Sequence, residues 1–173
     1  MDQLTELAIK YGTDKWGKHH YTPIYYEMFR DRINDIKSVV EIGPAEGAGL
    51  FMFRDFFPNA VITGLEIDLD RVNKLKGYDR IKVHKYDQGS AYNNYQYSDI
   101  FENADIIIDD GSHNPIDQIF TLQAVYPYLK EGAIYIIEDV AEKGIIPILS
   151  TRYIGEVHEL SDRYDDRLII IRK

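Results

Sequence analysis

Apolar residues cluster along the chain in short runs with the length of strands: Ser38–Ile42, Val61–Ile67, Ile81–Lys85, Ala104–Asp109 and Ala133–Ile137. Segments with helical spacing lie between them. Ala48–Phe57 is stopped by Pro58, and a short helix covers Leu69–Lys76. Ala91–Phe101 is weakly defined, whereas Pro115–Leu129 places Ile119, Leu122, Val125, Tyr126 and Leu129 on one face before Gly132 breaks it. Upstream, Leu4, Leu7, Ala8 and Tyr11 predict a helix over residues 2–11, and Tyr25, Met28, Phe29 and Arg32 predict another over Ile24–Ile33. The polar stretch Gly12–Pro23 separates these two helices. Downstream, Ala141–Ser150 reads as helical or irregular, and Val157–Leu160 and Arg167–Ile171 read as strands. The gap between these two is too short for a helical crossover, so they form an antiparallel hairpin. The pattern predicts an α/β fold: a mostly parallel seven-stranded sheet with helices on both faces and a C-terminal antiparallel hairpin. It fits a single domain over residues 1–173, with an N-terminal helical segment at 1–35 and the core at 36–173.

In such sheets ligands bind beyond the carboxyl ends of the strands, and the distinctive residues fall there. The first strand runs into Glu41-Ile42-Gly43-Pro44-Ala45-Glu46-Gly47-Ala48-Gly49. This is a glycine-rich turn opening a helix, with the spacing G-x-x-x-G-x-G in place of the G-x-G-x-x-G of dinucleotide folds. A carboxylate at Glu41 suits a cationic sulfonium or amino group and opposes a pyrophosphate. Glu41, Gly43 and Gly47 are therefore expected to cradle S-adenosylmethionine. Glu66, ending the second strand, is placed to accept the ribose hydroxyls, with Asp68 or Asp70 better suited to capping the next helix. After the third strand, Asp87 or Gln88 is placed for the adenine amino group, the alternative being turn chemistry.

The fourth strand ends in Asp109-Asp110-Gly111-Ser112-His113 and the fifth in Glu138-Asp139. Neighbouring strands are about 4.8 Å apart, so two acidic pairs meet at one mouth. Neither motif contains a lysine or arginine, and close carboxylates need a shared proton, a base or a cation. Hard oxygen donors suit Mg2+, with Mn2+ and Ca2+ as the alternatives. Alternation along a strand prevents all four from being ligands; Asp110 and Asp139 come first, Glu138 and Asp109 behind. His113, on the same mouth, is placed as a general base, or else as a metal ligand or loop-stabilising group.

Composition narrows the partners. A net charge of −9 opposes nucleic acid or an anionic membrane as the main partner. No apolar run can span a bilayer, and the N-terminus does not read as a secretory leader. The chain has no cysteine, which removes disulfide and thiolate chemistry and suits a cytoplasmic location. Nothing in the sequence fixes oligomeric state, and a homo-oligomer stays open.

At these motifs the chain resembles the class I S-adenosylmethionine-dependent methyltransferases, which have a Rossmann-like fold. More narrowly it is similar to the metal-dependent macrolide-sugar O-methyltransferases of the mycinamicin and tylosin type. Three stretches carry the likeness: Tyr11–Pro23, Asp109–His113 with Gln118, and Ile137–Val140. The resemblance implies Mg2+ held at Asp110 and Asp139 and a base at His113; beside these, Glu138 is a further expected metal ligand and Asp109 an expected cofactor contact. It gives Gly12–Pro23 the role of a lid, with Lys15, His19, His20 and Tyr21 meeting the acceptor; the alternative is a surface loop packed through Trp16 and Tyr21. Enzymes of this type carry a substantial additional N-terminal region. The 173 residues do not include one, so a small or exposed acceptor is expected. The expected function is Mg2+-assisted O-methylation of a small-molecule hydroxyl, foremost a sugar. The alternatives are a non-catalytic S-adenosylmethionine-binding protein and a methyltransferase for another acceptor class.

Overall fold

The computed structural model describes residues 1–141, 153 and 155–173. Most of the stretch Ala141–Ser150 lies outside them. Two helices come first, α1 (Gln3–Tyr11) and α2 (Thr22–Phe29). The alternating core follows: β1 (Ser38–Ile42), α3 (Ala48–Phe56), β2 (Val61–Glu66), α4 (Leu69–Lys74), β3 (Ile81–Lys85), α5 (Ala91–Gln96), α6 (Ser98–Asn103), β4 (Ile106–Asp109), α7 (Pro115–Val125) and β5 (Ile134–Ile137). The strands β6 (Gly155–Glu159) and β7 (Arg167–Arg172) close the sheet.

The sheet order is β3-β2-β1-β4-β5-β7-β6. Strands β1 to β5 pair in parallel, while β7 runs antiparallel to both β5 and β6. Side-chain alternation divides the core between the two faces. Val39, Ile106, Ile108, Ile134, Ile136 and Ile170 face one apolar layer, with Leu4, Tyr25, Phe29, Phe53 and Phe56 from α1, α2 and α3. Val40, Ile107, Tyr135, Ile137, Ile169 and Ile171 face the other, with Phe101 from α6 and Leu122 and Val125 from α7. A sheet covered on both sides explains why its strands read as continuous apolar runs.

Most boundaries fall within two or three residues of the sequence pattern. Two differences have local causes. Helix α2 begins at Thr22, because Pro23 is tolerated in a first turn, and ends at Phe29. The stretch after β3 forms two short helices, the first capped by Ser90 accepting from the Asn93 amide. No described helix is long and apolar enough to cross a membrane.

Candidate active site

Strands β1 and β4 are adjacent in the sheet, so the glycine turn and the Asp109–His113 loop pack against each other. Gly43 has φ +78°, and a Cβ there would lie 2.3 Å from the Asp110 carbonyl oxygen. At Gly49 a Cβ would lie 2.3 Å from a Glu41 carboxylate oxygen. The glycines thus serve close backbone approach and the burial of an acid at the start of α3. A cavity of about 400 Å³ opens beside them, lined among others by Gly43, Ala45, Glu66, Ile67, Asp87, Gln88, Gly111 and His113. Its volume lies within the ordinary range for small-molecule sites.

Glu66, buried at the end of β2, accepts from the amides of Ala45 (3.0 Å) and Asp68 (2.8 Å). It pins the cradle loop and still lines the cavity. Asp68 caps α4, accepting from the amides of Asp70 and Arg71. Asp87 lines the cavity and accepts from the Gly89 amide.

Gln88 and Asp109 form the wall behind the cavity. Gln88 donates to Asp109 Oδ1 at 2.7 Å and accepts from the Ser112 amide at 2.8 Å. Tyr135 donates to the other Asp109 oxygen at 2.9 Å. Burial pushes the Asp109 carboxyl up to about 7, against these hydrogen bonds. Asp109 is fully buried and outside the cavity lining, as is Glu41 apart from a residual 1% exposure. Both support the cradle from beneath and do not reach the cavity surface.

Lys15 supplies the base that neither acidic motif contains. Its ammonium lies 2.6 Å from Glu138 Oε2, 2.8 Å from Asp110 Oδ2 and 3.2 Å from Glu41 Oε1. Only 1% of Lys15 is exposed. Burial opposes its charge, but Asp110, Glu138 and Glu41 outweigh that and hold its pKa well above the usual lysine value. Desolvation pushes Glu138 well up and raises Glu41, despite the pull of Lys15.

Glu138 is expected from the sequence among the metal ligands; here it lies in the Lys15 cluster, outside the group formed by Asp110, His113 and Asp139. Its second oxygen accepts from the Tyr25 hydroxyl at 2.5 Å, so Lys15 and Tyr25 occupy both oxygens. Gln118 from α7 donates to the Glu138 carbonyl at 3.0 Å and steadies the end of β5. Asp139 has φ +51°, outside strand conformations. Strand alternation therefore stops at Glu138, and Asp139 faces the same mouth as Asp110.

Asp110, His113 and Asp139 offer one ligand atom each, all within 4.8 Å of one another. His113 Nε2 lies 3.1 Å from Asp110 Oδ1, and Nδ1 lies 3.4 Å from Asp139 Oδ2. Its backbone is also left-handed, at φ +55°. Strained non-glycine residues at a mouth are a mark of functional sites. The hydrogen bond to Asp110 raises the His113 pKa, with burial opposing it. Against the upward push of burial, Lys15 and His113 hold Asp110 down at about 2. The imidazole thus stands between two hard carboxylates, which is the position a divalent cation suits. These oxygens fit Mg2+.

The Gly12–Pro23 segment crosses this mouth. Three of its four expected acceptor contacts, Lys15, His19 and Tyr21, are buried, and only His20 is exposed. Tyr21 donates to Asp139 Oδ1 at 2.6 Å. His20 pairs with Trp16 in an isolated bridge and an edge-on ring contact of 5.1 Å. The segment is fixed to the sheet through its ionic and phenolic side chains as well as through Trp16.

No protein-family model matches the chain. Among curated proteins it is similar to mycinamicin VI 2''-O-methyltransferase of Micromonospora griseorubida, with 37% identity over 146 residues, or 79% of this chain and 36% of the relative. It is also similar to 8-demethyl-8-alpha-L-rhamnosyl tetracenomycin-C 2'-O-methyltransferase of Streptomyces olivaceus, with 32% identity over 145 residues, 79% of this chain and 37% of the relative. Among solved structures, the MycE methyltransferase from the mycinamycin biosynthetic pathway, in complex with Mg and SAH, superposes with a TM-score of 0.80. That match has 28% identity and covers 99% of this chain and 55% of MycE. The chain spans a little over a third of the length of the curated relatives it matches. Over that shared part it is similar to natural-product sugar O-methyltransferases, and it carries the Rossmann-like fold of MycE.

Proposed function

We propose that the protein is an S-adenosylmethionine-dependent O-methyltransferase, assisted by Mg2+, that acts on a hydroxyl of a sugar or sugar-bearing small molecule. The observation that carries this reading is the convergence of Asp110, Asp139 and His113 at the rim of the glycine-turn cavity. The names of the relatives support the reaction class and a glycosidic acceptor. Gly43, Ala45, Glu66 and Asp87 would hold the cofactor, with Gln88 and Asp109 as the wall behind. Asp110 and Asp139 would hold the cation.

When bound, S-adenosylmethionine supplies an electrophilic methyl group and the cation supplies Lewis acidity. The protein does the rest. His113 takes the acceptor hydroxyl proton, and Asp110 and Asp139 stabilise the imidazolium that results. Lys15 and Tyr25 hold Glu138, which fixes the end of β5 and with it Asp139. The Gly12–Pro23 segment would limit water at the mouth, with His20 as its exposed candidate for acceptor contact. Alignment of this kind can lower a barrier by roughly 7–11 kcal/mol. A cytoplasmic location belongs to the same proposal, since a chain without cysteine suits a reducing compartment.

Calorimetric titration with S-adenosylhomocysteine, with Mg2+ and then with a chelator, tests the cofactor. Binding in the micromolar range is expected, followed by methyl transfer to a glycoside in an acceptor screen. No binding in either condition would remove the cofactor reading. Binding without donor consumption on any sugar would reduce the protein to a cofactor-binding module.

A further inference from the structure

His19 is the only buried imidazole among the described residues, with 1% of its surface exposed. Its Nδ1 lies 3.1 Å from Asp166 Oδ1, and Asp166 is fully buried. A proton on Nδ1, donated to Asp166, leaves a lone pair on Nε2. That Nε2 is buried and has no hydrogen-bond partner. It points toward Asp139 and Asp165, and the three side chains each offer a ligand atom within 4.8 Å of the others.

The distance from His19 Nε2 to Asp139 Oδ1 is 3.3 Å. Two ligands on a tetrahedral ion with bonds of about 2.0–2.1 Å sit roughly 3.3 Å apart. A carboxylate behind the non-ligating nitrogen is the usual support for a metal-binding imidazole. Tyr21 adds to the preorganisation. Its ring stacks on His19 at 4.8 Å and 15°, and its hydroxyl donates to Asp139 Oδ1. Two cations stand nearby: Arg163 Nε is 3.4 Å from Asp165, and Lys18 Nζ is 3.9 Å from the other Asp139 oxygen. Neither reaches the unpaired nitrogen.

We propose that His19, Asp139 and Asp165 form a site for a zinc-class divalent cation, separate from the Asp110–His113–Asp139 group and sharing Asp139 with it. The buried imidazole nitrogen, held from behind by Asp166, suits Zn2+ or Co2+; the Asp110–His113–Asp139 group offers the same donor types, and the variants below separate the two. The ligands come from three places: the Gly12–Pro23 segment, the end of β5 and the β6–β7 loop. A cation there would tie the segment to the end of β5 and to the β6–β7 loop. The site stands whether or not the chain transfers methyl groups.

The probes are Zn2+ in calorimetry and Co2+ in visible absorption, both on metal-free protein in excess Mg2+. One equivalent of Zn2+ is expected to bind and raise the unfolding temperature. His19→Gln should abolish that equivalent, Asp165→Asn should weaken it at least about tenfold, the lower bound set by what loss of even an outer-shell partner costs, and His113→Ala should leave it in place. Zinc lost in His113→Ala and kept in His19→Gln would put the metal in the other group and overturn the proposal. No zinc binding by the parent protein would do the same. If His19→Gln does not fold, unchanged zinc affinity in Asp165→Asn is the overturning result. S-adenosylhomocysteine affinity, measured alongside, reports separately on the cofactor reading.

Discussion

The Lys15 ammonium lies 2.6 Å from a carboxylate oxygen of Glu138, across 123 positions of sequence, and both side chains are 1% exposed. One buried cation thereby ties the segment before the core to the end of β5. Removing one partner of such a pair leaves an uncompensated charge and costs about 3–5 kcal/mol. Lys15→Met should therefore lose stability on that scale in urea unfolding. Lys15→Met with Glu138→Gln should recover part of the loss, because Gln still accepts from Tyr25. A single variant as stable as the parent would remove Lys15 from its bridging role.

His113 is 42% exposed on its side chain, so its loss should disturb the fold little. General bases contribute about 10²–10⁴-fold to turnover. His113→Ala should lower kcat within that range while S-adenosylhomocysteine affinity stays within a few-fold. Equal loss of both would show that His113 shapes the cavity and does not handle a proton.

Gly43 and Gly47 separate two causes of intolerance. Both have positive φ, +78° and +87°, so alanine carries a left-handed penalty of about 1–2 kcal/mol at either. At Gly43 the new methyl also meets the Asp110 carbonyl at 2.3 Å, which is backbone and cannot rotate aside. At Gly47 it meets a terminal methyl of Leu75 at 2.5 Å, which can. Gly43→Ala should be the more damaging in both urea unfolding and cofactor affinity, because it displaces the loop that carries Asp110. Equal effects would count against the close packing of the two turns.

These relationships differ in how far the sequence reveals them. The strand ends are legible because an apolar run stopping at Glu66, Asp109 or Ile137 fixes both the strand and its polar terminus. The closing hairpin follows from the short connection between its strands, whereas the place of β7 between β5 and β6 does not. Lys15 is not legible as the partner of the acidic pairs, since it lies 95 positions before Asp110 in a segment that reads as a loop. Glu138 and Asp139 look alike in sequence. Only the left-handed backbone at Asp139 and the hydroxyl of Tyr25 decide which faces the mouth. Asp109 and Gln88 bond to each other, which no spacing rule anticipates, and so Asp109 becomes a wall residue. A polar segment that carries histidines and aromatic rings signals a role near the site; that Lys15, His19 and Tyr21 are buried in it follows from the carboxylates beneath them.

Asp105, at the other end of β4, gives a pH signature separate from the active site. Its Oδ2 accepts from the amides of Lys37 (2.6 Å) and Ser38 (3.0 Å), and its Oδ1 pairs with Lys130 at 2.6 Å. Burial pushes its carboxyl upward, but Lys130 and the two amides outweigh this and hold it below the usual carboxylate value. A depressed carboxyl contributes stability above its unfolded pKa of about 3.9 and loses it as pH falls through the folded value. Asp105→Asn should therefore unfold at lower urea than the parent at pH 7, with the gap narrowing as pH drops below about 4. The two amides keep one acceptor in the variant, so the loss comes mainly from the ionic partner, and high salt should shrink it. A gap that stays constant from pH 7 to pH 3 would mean that the carboxylate charge does not contribute, and that packing at the start of β1 sets the difference.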